Sequence, residues 1–126
     1  VVRTTNLPGS GSLFIKTHPN SPWIWVDMTL HPDPATSRTI CVVAKENPEE
    51  VYKCWETATY GRAVHFEYNM QGTEVWVSIW GNADIPGEVG EIVVYDDKTL
   101  EEVARIPNLV TPTGKFNVHN TIYDIY

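Results

Sequence analysis

Short runs of apolar, β-branched and aromatic residues recur along the chain, each interrupted by turn chemistry. In the second half, Ala63 to Tyr68 reads as a strand, Asn69 to Thr73 as a turn, and Glu74 to Trp80 as a strand that begins by alternating polar and apolar positions. Beyond the Gly- and Pro-containing stretch Gly81 to Gly90, Glu91 to Tyr95 predicts a third strand, Asp96 to Thr99 a turn, and Leu100 to Ile106 a fourth. The first half follows the same plan, with strands predicted over Leu13 to Thr17, Trp23 to Leu30, Thr39 to Ala44 and Val51 to Trp55. Asn47-Pro48-Glu49-Glu50 resembles a helix start, so a short helix over Asn47 to Lys53 is the alternative there.

The two halves match each other. Pro22-Trp23-Ile24-Trp25-Val26-Asp27 aligns with Thr73-Glu74-Val75-Trp76-Val77-Ser78 at an offset of 51. Ile40 to Val43 aligns with Ile92 to Tyr95, and Glu49-Glu50-Val51 with Glu101-Glu102-Val103, at an offset of 52. One inserted loop residue accounts for the difference. Four antiparallel strands in a repeat of about fifty residues predict a blade of a β-propeller. An eight-stranded sandwich would suit the composition equally, but it has no reason to put Trp25 and Trp76 at equivalent strand positions. The expected fold is therefore all-β: one blade over 10–57, a second over 61–107, and a closing C-terminal strand over 112–126. Two blades cannot close a ring and leave edges and a face uncovered. The remainder of a propeller, or another copy of the chain, is the expected partner.

Composition narrows the function classes. The net charge is −7, and the nine Lys and Arg are scattered rather than gathered on a stripe, which argues against binding nucleic acid or an anionic membrane. No apolar run reaches the roughly 18 residues of a bilayer crossing, so membrane insertion is not expected. Val1 to Thr5 lacks a charged region followed by an apolar stretch, and without an initiator Met the chain reads as a mature or cleaved piece. Cys41 and Cys54 match neither a Cys-x-x-Cys-His attachment site nor a zinc pattern, so no covalent c-type haem is expected. The favoured reading takes them as two small buried apolar residues, with a cross-strand disulfide as the alternative.

Four motifs occur in an order that resembles one family. They are Gly11 to Pro19, Gly72 to Trp80, Val94 to Glu101, and Leu109-Val110-Thr111-Pro112-Thr113-Gly114-Lys115-Phe116-Asn117-Val118-His119-Asn120-Thr121 with its Asp124-Ile125-Tyr126 ending. Together they are similar to the C-terminal part of the haem d1 propeller of cytochrome cd1 nitrite reductases. The resemblance implies an eight-bladed propeller holding non-covalent haem d1 near its axis. It also implies an electron-donor cytochrome c, nitrite as small-molecule substrate, reduction of nitrite to nitric oxide, and a periplasmic location. The family's proximal and distal iron-side histidines lie upstream of this segment, so the chain alone is not expected to be active. The alternatives are a haem d1 biosynthesis or carrier protein of related fold, and a non-catalytic propeller interaction module.

Candidate site residues follow from the same resemblance. Thr113 matches a family Thr that contacts haem d1, and Gly114 beside it lacks the Cβ that would keep the backbone away from a flat macrocycle; the structural alternative is a plain turn. His65 stands where the reductases carry a Gln that hydrogen-bonds the cofactor, and an imidazole can donate, accept or carry charge there; the alternative is a strand histidine with no ligand. His18 and His31 read as turn and loop residues, His119 as a packing residue, and the five Trp as blade-packing residues. No catalytic residue and no metal ligand is assigned. Asp96-Asp97, Glu49-Glu50 and Glu101-Glu102 are adjacent pairs whose side chains point to opposite faces of a strand, so a solvated edge is expected rather than a reacting pair.

Overall fold

The structure is a computed structural model that describes residues 1–113. Eight strands follow in chain order: β1 (Ile15–Lys16), β2 (Trp23–Asp27), β3 (Thr39–Ala44), β4 (Asn47–Glu56), β5 (Arg62–Tyr68), β6 (Glu74–Trp80), β7 (Gly90–Asp96) and β8 (Glu102–Leu109). They form two four-stranded antiparallel sheets, β1-β2-β3-β4 and β5-β6-β7-β8, each a simple meander. The repeat seen in the sequence is also a repeat in the ladders. Trp25 lies opposite Val42 in β2–β3, and Trp76 lies opposite Val94 in β6–β7. The outer strands differ by one residue from the sequence alignment, because Lys53 opposite Val42 corresponds to Ala104 opposite Val94, an offset of 51. Bulges at Val42/Val43/Ala44 and at Val94/Tyr95 absorb the slip.

At three places the structure decides between the sequence readings or departs from them. Asn47 to Lys53 is not a helix: it belongs to β4, the edge strand, where Pro48 removes no interior ladder bond. The one helical turn among the described residues is α1 (Pro34–Ser37), inside the predicted loop His31 to Ser37. Asp33 caps it by accepting from Thr36 N, and Pro34 supplies a helical φ without needing a donor. Cys41 and Cys54 stand directly opposite each other on β3 and β4, with Cα atoms 4.1 Å apart, and form a disulfide rather than two packed thiols.

Period-two alternation decides what each sheet buries. On β6, Val75, Val77 and Ile79 point toward the first sheet and are fully buried, while Glu74, Trp76, Ser78 and Trp80 take the opposite face. Trp25, Ile40 and Val42 meet them from the first sheet, with Ala63, Phe66, Tyr68, Val93, Tyr95 and Leu100 in the same core. Trp25 is the hub: its ring lies 5.5 Å from Trp55, 6.1 Å from Phe66 and 5.9 Å from Tyr95. Its counterpart Trp76 is only half-buried, since no sheet among the described residues covers that face.

A polar latch joins the sheets at the end formed by the β1–β2, β5–β6 and β7–β8 turns. Asp97 Oδ1 accepts from Trp25 Nε1 (3.1 Å) and Tyr68 Oη (2.9 Å), and Asp97 O accepts from Trp23 Nε1 (2.8 Å). Asp97 is thus a buried acceptor and not the solvated edge expected for the Asp96-Asp97 pair; Asp96 alone serves the turn, accepting from Lys98 and Thr99 N–H. His18 sits in its turn as expected but is fully buried and crosses between sheets. Its Nδ1 accepts from Asn20 N, so its proton is on Nε2, which donates to Met70 O at 3.1 Å. Burial lowers the pKa of His18 and keeps it neutral in that role. A side chain at Gly72, whose φ is +73°, would run into the His18 ring.

Candidate cofactor-facing site

The first strands of the two sheets, β1 and β5, lie in contact with each other, the relation expected of innermost strands around a propeller axis. Lys16 on β1 and Glu67 on β5 form an ion pair across that junction at 3.3 Å. Burial pulls Lys16 below the usual lysine value and pushes Glu67 above the usual carboxylate value, each offset in part by the other's charge.

His65 lies in the middle of β5, at a bulge. Val64 pairs with Ser78 and Phe66 with Val77, so His65 is the extra residue, with φ at 61° in the left-handed region. Such a conformation is uncommon outside glycine, and it turns the side chain out of the alternation that its neighbours obey. The imidazole packs on Phe14, ring centroids 3.7 Å apart at 45°, and meets the edge of Trp80 at 6.4 Å and 74°. The Phe14 backbone is held by Asp27, whose Oδ1 accepts from Leu13 N (2.8 Å) and Phe14 N (3.1 Å). Burial raises the Asp27 carboxyl above its ordinary range, and those two N–H groups pull the other way.

Trp80 connects His65 to the C-terminal segment. Its Nε1 donates to Pro112 O, and Pro112 lies so close over Gly90 that a Cβ there would come within 2.6 Å of Pro112 Cδ. Thr113 follows directly and is exposed. The structure therefore places Thr113 one residue from the Trp80 contact, with His65 on the same indole. Gly114, His119 and the expected closing strand beyond Thr113 lie outside the described residues. An open cleft of about 570 Å³ adjoins Trp80, walled by Arg38 at the end of α1, Tyr60 in the turn after β4, Arg62 at the start of β5, and Asn82 and Glu88 in the loop after β6.

Sequence reasoning did not single out Trp80, Phe14 or Asp27. Trp80 could have been found from its phase, since it continues the Glu74, Trp76, Ser78 face and not the core face. Phe14 and Asp27 carried no such signal, because their roles depend on which strands meet. Among the described residues, no group of three or more His, Cys, Asp or Glu could hold a metal ion.

Residues 1–121 match the family model of the cytochrome D1 heme domain. The chain belongs to that family. It is 39% identical to a nitrite reductase of Stutzerimonas stutzeri over 142 aligned residues, covering 100% of this chain and 24% of the relative. It is 32% identical to a dihydro-heme d1 dehydrogenase of Pseudomonas aeruginosa over 119 residues, covering 94% of this chain and 21% of the relative. A solved structure of dihydro-heme d1 dehydrogenase NirN in complex with DHE superposes with a TM-score of 0.75 at 30% identity, over 90% of this chain and 22% of that one. The two sheets are thus blades of a cytochrome D1 heme domain propeller, and the chain spans under a quarter of the length of these relatives.

Proposed function

We propose that this chain supplies one wall of the haem d1 pocket in a periplasmic dissimilatory nitrite reductase. The observation that carries the reading is the 39% identity of the whole of this chain to 24% of a nitrite reductase, within a family match over residues 1–121. The reaction takes nitrite, one electron and two protons to nitric oxide and water. Haem d1, bound without a covalent link, would supply the redox-active iron. The electron would come from a cytochrome c, and the remaining blades from the rest of the propeller.

The residues present suit a flat macrocycle bearing carboxylates. His65, turned out of register by its bulge and held by Phe14 and Trp80, is the residue of this wall whose imidazole would contact a cofactor substituent. Thr113 offers an exposed hydroxyl for a charge-assisted hydrogen bond, and Gly114 lets backbone approach the ring plane. The Cys41–Cys54 disulfide fits an oxidising compartment such as the periplasm.

A second reading, a haem d1 biosynthesis protein, is favoured by the likeness to dihydro-heme d1 dehydrogenase in sequence and in structure. The two separate in one experiment on the full-length protein. Loaded with haem d1 and given reduced cytochrome c and nitrite without oxygen, it should release nitric oxide. Absence of nitric oxide, together with oxidation of dihydro-haem d1 to haem d1 in a parallel sample given two equivalents of an oxidised one-electron acceptor, with two protons released and the visible spectrum followed, would establish the second reading and refute the first.

A further inference from the structure

Behind the proposed wall stands a scaffold that the family assignment does not describe. Asp27 closes β2 and is fully buried, an unfavourable place for a carboxylate unless its oxygens are bonded. Its Oδ1 takes the N–H groups of Leu13 and Phe14, and its own N–H donates to Phe14 O at 3.3 Å. Two residues further on, Thr29 Oγ1 donates to Ala63 O at 2.6 Å, and Thr29 O accepts from Arg62 Nη1 at 3.0 Å. One short segment of the first blade therefore grips the approach to β1 on one side and the start of β5 on the other. What the two grips bring together is the Phe14 ring and the His65 imidazole, 3.7 Å apart.

We propose that Asp27 and Thr29 are positioning residues for His65: the carboxylate sets the Phe14 ring, the threonine sets the strand that carries the bulge, and together they hold the imidazole at one tilt. The consequence for ligand binding rests on the pocket-wall reading above. The role of Asp27 needs an acceptor oxygen and not a charge, so Asp27→Asn should preserve it while Asp27→Ala should not. A side chain held only by packing would not make that distinction.

The test uses the full-length protein without cofactor, with selectively labelled histidine and the His65 resonances identified by their loss in His65→Gln. Phe14→Leu marks where those resonances fall once the ring current of Phe14 is gone. Asp27→Ala and Thr29→Val should each move them toward the Phe14→Leu positions, and Asp27→Asn should leave them where the wild type has them. On adding haem d1, Asp27→Ala should bind about tenfold more weakly, the scale of one lost hydrogen bond, and Asp27→Asn like the wild type. Unmoved His65 resonances overturn the proposal, and should Asp27→Ala fail to fold, the milder Thr29→Val decides. Moved resonances with unchanged haem d1 affinity uphold the positioning role and remove His65 from the proposed haem d1 contacts.

Discussion

His65 and Asp97 show how much one residue's surroundings decide. A histidine on a strand is ordinary, but at a left-handed bulge between two aromatic rings it is aimed by the fold, and that is what makes it a candidate ligand contact. Thr113→Val in the full-length protein should cost about 1–3 kcal/mol of haem d1 affinity by deleting a hydroxyl while keeping the shape, and His65→Gln should retain binding. Titration with haem d1 measures both, and unchanged affinity in Thr113→Val removes that residue from the site. Asp97 is a matter of stability. Asp97→Ala leaves Trp25 Nε1 as an orphaned buried donor, worth about 1–3 kcal/mol, and leaves Tyr68 Oη with Ser21 Oγ as its partner, so its urea midpoint should fall below that of Tyr68→Phe. Burial also raises the Tyr68 pKa above the ordinary tyrosine value. The folded state then holds a proton that the unfolded chain releases, so stability is lost as pH rises past about 10, and Tyr68→Phe should remove that part of the alkaline slope.

At the scale of elements, the strands carry out a plan that their own residues announce. β6 was expected at Glu74 to Trp80 and β3 at Thr39 to Ala44, and both form there, because alternation and flanking turn residues act locally. Strand ends depend on partners: β4 begins at Asn47 because Ala44 offers it a ladder position, which local propensity for a helix start cannot outweigh. The disulfide likewise arises from register, since only the β3–β4 pairing sets Cys41 opposite Cys54. Replacing both cysteines by Ala should cost about 3 kcal/mol, the chain-entropy value for so short a loop. Equilibrium unfolding with and without reductant measures it: the wild type should fall toward the variant when reduced, and the variant should not respond.

For the whole molecule, the two blades pack one face of each sheet against the other, and among the described residues no sheet lies over the opposite face of the second blade. The face bearing Trp76 repeats the one through which Trp25 packs on the second blade, so it is built to receive a further blade. Val103 and Ile106 on the outer strand are also exposed. Residues 1–126 produced alone should therefore self-associate, as seen by light scattering. A monomeric species with a sharp cooperative melt in calorimetry would contradict that expectation.

Fold class, the number and order of the strands and the two-blade repeat were legible from residue order alone, because alternation, turn chemistry and a period near fifty are local or self-referring features of the chain; strand ends were not, since β2 stops at Asp27 rather than Leu30 and β8 runs Glu102–Leu109 rather than Leu100 to Ile106. The same order carried the family motifs that pointed to haem d1. Tertiary structure decided what locality cannot reach. The pairing of Cys41 with Cys54, the burial of Asp97 under two aromatic donors, the bulge that turns His65, and the clasp of Asp27 on Phe14 each require residues distant in sequence to meet. Trp25 and Trp76 make the point most simply: equivalent in sequence and in ladder position, they differ in burial, and among the described residues a neighbouring sheet covers Trp25 and not Trp76.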